Sequence, residues 1–272
     1  MALPPPGVDK IYDYSDPLLR TTNASLAAVG MGVSTACLAI RLYTKAYFLH
    51  QLGWDDICIV TAWAFAVASQ GVLLHAYAHS WIGTHLWDLT EPMITGYRKT
   101  MLSFWIVYTV ALAFSKIAVL MLYLRLFVGT PLRRFTIWLT AGTIVTYSLA
   151  FVVALILACS PISRAWDDGP PGGCMPRTYI YLGTTIANTI SDIILILIPI
   201  PVVHELHLAL IEKVGVMFMF GVGCLTVVVS IVRLATVVPL VGAVDQPNEI
   251  CFVIVFMSVI IEPCCCQLES DF

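Results

Sequence analysis

Apolar runs of bilayer-spanning length recur along nearly the whole chain, at 22–43, 57–76, 101–124, 135–159, 179–203, 214–240 and 250–261. A helix needs about 20 apolar residues to cross the hydrocarbon core of a membrane, and six of these seven runs reach that length. The sequence therefore predicts an integral, multi-pass membrane protein. Its fold class is all-α, a seven-transmembrane-helix bundle with a short last helix. An exposed N-terminal tail occupies 1–21 and a single membrane domain 22–272.

Composition agrees with that reading. Hydrophobic residues make up 59% and charged residues 11%, with a mean hydropathy of +0.89. Soluble domains carry about 25% charged residues, so a soluble chain of this composition would lack polar surface. The net charge of −3 and the absence of a basic or aromatic-basic patch exclude a nucleic-acid partner. Helices and short loops use up the length, which predicts one domain without an appended enzyme or ectodomain. The first twenty residues include Pro4, Pro5 and Pro6 but no apolar core of a signal peptide. Helix 1 is therefore expected to direct membrane insertion itself.

Short-loop Lys and Arg set topology. One side receives Arg41, Lys45, Arg125, Arg133, Arg134 and Lys213, and the other Arg20, Arg98, Lys99, Arg164 and Arg177. That margin is thin, but the Arg125/Arg133/Arg134 cluster and the opposed Asp88, Glu91, Asp167 and Asp168 favour an outer N-terminus. Cys159 and Cys174 then flank a loop on the oxidising side. As a disulfide they would be worth about 3 kcal/mol by chain entropy; the alternative is two free thiols at the interface. Cys37, Cys58 and Cys224 read as small core residues. Cys264, Cys265 and Cys266 are palmitoylation candidates if they reach the cytoplasmic face. Asn23-Ala24-Ser25 is a glycosylation sequon, expected to stay unused because it abuts helix 1.

A set of motifs in fixed order carries a resemblance. Gly53-Trp54-Asp55-Asp56 opens helix 2, and Gly83-Thr84-His85 with Trp87-Asp88 follows in the next outer loop. Helix 3 holds Lys116 and ends in Tyr123-Leu124-Arg125-Leu126-Phe127. Cys159-Ser160-Pro161, Trp166 and Gly173-Cys174 frame a second outer loop. Asn188, Asp192 and Pro199-Ile200-Pro201 follow, then Lys213, Gly221 and Ser230-Ile231-Val232-Arg233. From about Arg41 to Glu262 the chain resembles the fungal rhodopsin-domain family of seven-helix membrane proteins, which includes satratoxin-cluster-type and Pth-type receptor-like proteins. The resemblance implies seven helices and an outer N-terminus. It does not imply photochemistry, because run 7 has no lysine for a retinal Schiff base. The end departs from the pattern: Pro263 and the cysteine triplet follow Glu262 at once, and 250–261 alone makes about 18 Å of helix. A truncated last helix is the expectation.

Ionisable groups within a membrane are costly and face the bundle interior. Lys116 and Asp192 both lie roughly 20 Å below the outer face at 1.5 Å per residue, close enough in depth to pair. Thr185, Asn188 and Asp192 form a stripe on one helix face. These four residues define a buried polar site, read either as a ligand site or as a packing salt bridge. Arg233 falls about 28 Å along its helix, where packing or snorkelling to the outer interface is expected. Asp55 and Asp56 read as helix-capping carboxylates, with Mg²⁺-diphosphate binding as the alternative. His75 and His79, at i and i+4, are a weak metal pair or part of an interfacial belt. His85, Asp88 and Glu91 are weak acid–base candidates at the outer face.

No catalytic signature or cofactor motif is present, and the reading leans away from an enzyme. The resemblance implies a membrane protein of fungal secondary-metabolite biosynthesis, of undefined molecular activity, handling a small apolar molecule. The alternative is a receptor-like sensor of an outside cue, whose cytoplasmic partner the sequence does not name. Transport ranks third, because the chain lacks inverted halves. The expected partners are the lipid bilayer and a small apolar ligand or metabolite, at the plasma membrane or an endomembrane.

Overall fold

Every backbone N–H and C=O that enters lipid must be bonded within the protein, and the described residues meet this demand almost entirely with helix. The computed structural model describes residues 17–50, 53–79, 90–126, 131–167, 171–200 and 210–240. Among them are six α-helices: α1 (Pro17–Thr44), α2 (Trp54–Ala78), α3 (Glu91–Leu126), α4 (Pro131–Ile156), α5 (Arg177–Leu197) and α6 (Leu210–Leu240). The only strands among the described residues are β1 (Cys159–Ser160) and β2 (Gly173–Cys174). They pair antiparallel, Cys159 opposite Cys174, and enclose a 3₁₀ turn at Ile162–Ala165.

Local chemistry sets the element ends. α1 runs on into a π-helical turn, Lys45–Leu49, which stops at His50 in the left-handed region (φ 49°) with its N–H on the Lys45 carbonyl. α5 ends at Leu197, just ahead of Pro199, which has no N–H to give the helix. All six helices begin ahead of their apolar runs, α1 and α3 by the widest margins. α1 starts at Pro17, a residue whose fixed φ suits a first helical position. α3 starts at Glu91, so Glu91 belongs to a helix rather than a loop. The polar first turns of α3 need no apolar character if they project beyond the membrane. Its 36 residues make a rod of about 54 Å, longer than a bilayer core.

Among the described residues five helices are long and apolar enough to cross a membrane: Ala27–Tyr47, Trp54–Ala78, Glu91–Arg125, Pro131–Ile156 and Tyr179–Leu197. α6 contributes a shorter apolar stretch, Gly223–Val238, within its 31 residues. The seventh apolar run, Glu262 and the cysteine triplet lie outside the described residues.

α3 is the central element, with α2 packed along it and α4 beside it, while α5 packs on α6. Among the described residues two apolar clusters fill the interior. One joins Phe104, Trp105 and Tyr108 of α3 to Leu73 of α2, Leu155 of α4 and Val237 of α6. The other joins Val119, Leu120 and Leu122 of α3 to Ile59 of α2, Ile137 and Ile144 of α4 and Leu195 of α5. The outer surface is apolar as well. Ile186, Ile190, Ile193 and Leu197 form an exposed stripe along α5, at spacings that share one helix face. Thr185, Asn188 and Asp192 are buried on the inward side of the same helix. Exposed threonines on α4 (Thr136, Thr140, Thr143 and Thr146) return their hydroxyls to carbonyls four residues back, which satisfies them without water.

Candidate functional site

Polar side chains gather at three levels along α3: at its C-terminal end, at Lys116, and at Trp105–Tyr108. The levels lie about 12–14 Å apart at 1.5 Å per residue.

At the end of the bundle where α1 turns into α2, Asp55 and Asp56 are buried against cations of three helices. Lys45 Nζ is 2.6 Å from Asp55 Oδ2 and 3.0 Å from Asp56 Oδ1. Arg41 reaches Asp55 with Nη2 at 3.0 Å and Asp56 with Nε at 3.3 Å. Arg125, from the end of α3, completes the cluster at 3.5 Å from Asp55 Oδ2. The Gly53 N–H donates to Asp56 Oδ2 at 2.9 Å, so capping is one part of the role of Asp56. A Cβ at Gly53 would collide with Asp55 Oδ1, so a glycine there leaves room for the carboxylate. The chain's own cations occupy the places a divalent metal would take.

At the second level Lys116 of α3 meets α5. Its Nζ lies 2.9 Å from Asp192 Oδ1, donates to the Asn188 carbonyl at 2.9 Å, and donates to Ser191 Oγ. The other Asp192 oxygen accepts from Ser230 Oγ of α6 at 2.7 Å and from Asn188 Nδ2 at 3.0 Å. Tyr147 of α4 closes the group, its Oη 3.0 Å from Ser191 Oγ. Four helices thus share one network in which the cation, the carboxylate and the amide all have partners. This arrangement makes a buried ion pair tolerable in low dielectric. Of the stripe read from sequence, Asn188 and Asp192 belong here. Ser191 and Tyr147 were not singled out, being neutral residues within apolar runs, and Ser230 was named only as part of a family motif.

Thr185 belongs to the third level, with Arg233. Of the two roles expected for Arg233, packing and snorkelling, its exposure of 0% contradicts the second. Its Nη1 donates to Tyr108 Oη at 2.8 Å, and Nη2 reaches Thr185 Oγ1 at a long 3.5 Å. The guanidinium carbon sits 4.8 Å from the Tyr108 ring centroid and 5.7 Å from that of Trp105. Trp105 in turn stacks on Tyr181 at 4.4 Å. α6 turns Arg233 inward, on the same face as Ser230 three residues earlier, which a count along the helix does not reveal. That spacing was the available signal.

The remaining candidates scatter. α2 extends far enough to bring His75 and its C-cap residue His79 together, with tilted rings whose centroids are 4.3 Å apart, but both are exposed and His79 Nδ1 lies 2.9 Å from the His75 carbonyl. Among the described residues no group of three His, Cys, Asp or Glu side chains could hold a metal. Glu91 is exposed at the start of α3; His85 and Asp88 lie outside the described residues. Asn23 falls within helical backbone of α1. Cys159 and Cys174 form a disulfide, and Lys99 of α3 lies 5.7 Å above the Trp166 ring of the loop it closes.

A family model described as the fungal rhodopsin domain matches residues 40–267. "Fugralins biosynthesis cluster protein 2" of Gibberella zeae is 28% identical over 252 residues, covering 89% of this chain and 61% of the relative. "SAT4 family membrane protein" of Emericella nidulans is 27% identical over 190 residues, 68% of this chain and 46% of the relative. "Polyenoic acids biosynthesis gene cluster protein Ba17b" of Metarhizium anisopliae is 22% identical over 201 residues, 71% of this chain and 54% of the relative. The chain thus spans about half to three-fifths of the length of these curated relatives. No solved structure matches. The chain is a multi-pass integral membrane protein and belongs to the fungal rhodopsin domain family.

Proposed function

We propose that this protein serves a fungal secondary-metabolite pathway from within the membrane, handling a small, largely apolar molecule in its polar-lined interior. The observation that carries the reading is the naming of relatives from separate fungi as biosynthesis cluster proteins, across most of this chain. The interior suits such a role: two apolar clusters are interrupted by side chains able to orient a few polar atoms. In this reading the chain crosses the membrane seven times, with its N-terminus outside. The disulfide supports that orientation, because Cys159 and Cys174 lie at the end of the bundle where α1 and α5 begin, and disulfides persist on the oxidising side.

Metabolite profiling of a deletion strain against its parent and a complemented strain tests the proposal. Loss of one product family, or build-up of one intermediate, with cluster transcripts unchanged is the expected result. An unchanged profile overturns it.

A second reading, a receptor-like sensor, draws on the rhodopsin-type family assignment and on the network joining α3, α4, α5 and α6. Its signature is a metabolite profile that falls together with the transcripts of the cluster genes.

A further inference from the structure

Arg233 is a cation with no counter-ion among the described residues. Its residue is wholly buried, no carboxylate lies within ion-pair distance among the described residues, and its Nε–H finds no acceptor there. The Trp105 indole N–H is a second buried donor without an acceptor among the described residues, on the ring over which the guanidinium lies. Buried charges are costly unless paired, and orphaned buried donors are rare. The guanidinium carbon lies 5.7 Å from the indole ring centroid, and two donors on such neighbouring groups call for an acceptor-only partner. Lys116 shows the contrast within the same bundle: its charge is met by Asp192, by a carbonyl and by a hydroxyl.

We infer that Arg233 and Trp105 form an interior receptor for the carboxylate of a small organic acid. A carboxylate presents two oxygens and no donor, so it can accept from the guanidinium and the indole N–H together. One cation balances one negative charge, which favours a monoanion over a phosphate ester. The guanidinium lies over the rings of Trp105 and Tyr108, and Tyr181 stacks on Trp105, so the acid carries an unsaturated or aromatic body that packs on such rings. Tyr108 and Thr185 hold the guanidinium in place by accepting from its Nη atoms. The inference deepens the metabolite-handling proposal by giving the molecule a charge and an anchor.

The test uses the full chain in zwitterionic lipid nanodiscs, with empty nanodiscs as the partition control. The probes are 2-naphthoate and its uncharged counterpart 2-naphthamide. Saturable binding of naphthoate, with naphthamide weaker by about tenfold or more, is expected. Arg233→Gln removes that preference and Arg233→Lys keeps part of it. Trp105→Phe, which retains a ring and loses the N–H, weakens naphthoate by about fivefold and serves where an Arg233 variant fails to fold. Equal binding of the two probes, undiminished naphthoate binding in Arg233→Gln, displacement by chloride alone, or no binding beyond empty nanodiscs overturns the inference. Because the assay needs no pathway, its failure leaves the biosynthetic proposal standing, and an unchanged metabolite profile leaves the anion site standing.

Discussion

Lys116 Nζ lies 2.9 Å from Asp192 Oδ1, and this contact joins α3 to α5 in the middle of the bundle. Ser230 holds the opposite oxygen of the same carboxylate from α6. Removing either charge strands the other in low dielectric, at a cost of about 3–5 kcal/mol. Lys116→Ala and Asp192→Ala should each destabilise the protein in micelles by that order. The double variant should recover about 1–3 kcal/mol of the summed loss. Strictly additive losses in thermal or denaturant unfolding would show that the two do not act as a pair.

Arg233 should answer with the opposite sign. Its charge lacks a carboxylate among the described residues, so replacing it by a neutral chain of similar length removes a desolvation cost as well as the contacts to Tyr108 and Thr185. Arg233→Met is expected to leave the melting temperature unchanged or raise it, as happens where a residue is kept for function at the expense of stability. A loss on the scale of Lys116→Ala would assign Arg233 to packing.

The cluster at the turn between α1 and α2 should be graded by burial. The Lys45 side chain is 5% exposed and touches both aspartates, whereas that of Arg125 is 42% exposed and 3.5 Å from one. Lys45→Ala is expected to cost about 3 kcal/mol and Arg125→Ala about 0.5 kcal/mol. Gly53→Ala should act like a partial loss of Asp55, because the new methyl meets Asp55 Oδ1. Equal effects of Lys45→Ala and Arg125→Ala in chemical unfolding would refute this ranking.

The disulfide closes a loop with a sequence separation of 15. Cys159→Ser should lower stability by about 3 kcal/mol. Adding Cys174→Ser should take away nothing further, since the bridge is already gone. A further drop in the double variant, read by thermal unfolding without reductant, would mean that Cys174 contributes outside the bridge.

The spans were legible because lipid leaves little choice of structure, so length and apolar content suffice to find them. Counting rise along the two helices placed Lys116 and Asp192 close enough to pair, and the salt bridge joins them. What counting cannot provide is rotation: which way α6 turns Arg233 depends on its contacts with α3 and α5, which no local pattern encodes. The same holds for Tyr147, one aromatic in an apolar run until α4 sets it against Ser191. Asp55 and Asp56 were read as caps because the signal for capping is local. Their partners Arg41 and Lys45 were assigned to a loop, whereas Arg41 lies in the last turn of α1 and Lys45 opens the π-turn that follows, and both reach the aspartates.

One measurement reaches the central claim, that the interior polar level at Arg233 serves the pathway rather than the fold. The deletion strain is complemented with Arg233→Gln, and its cluster metabolites are quantified together with the amount of the protein in the membrane fraction. The account predicts wild-type protein levels with the product lost or its precursor accumulated. Full restoration of the metabolites at normal protein levels would contradict it.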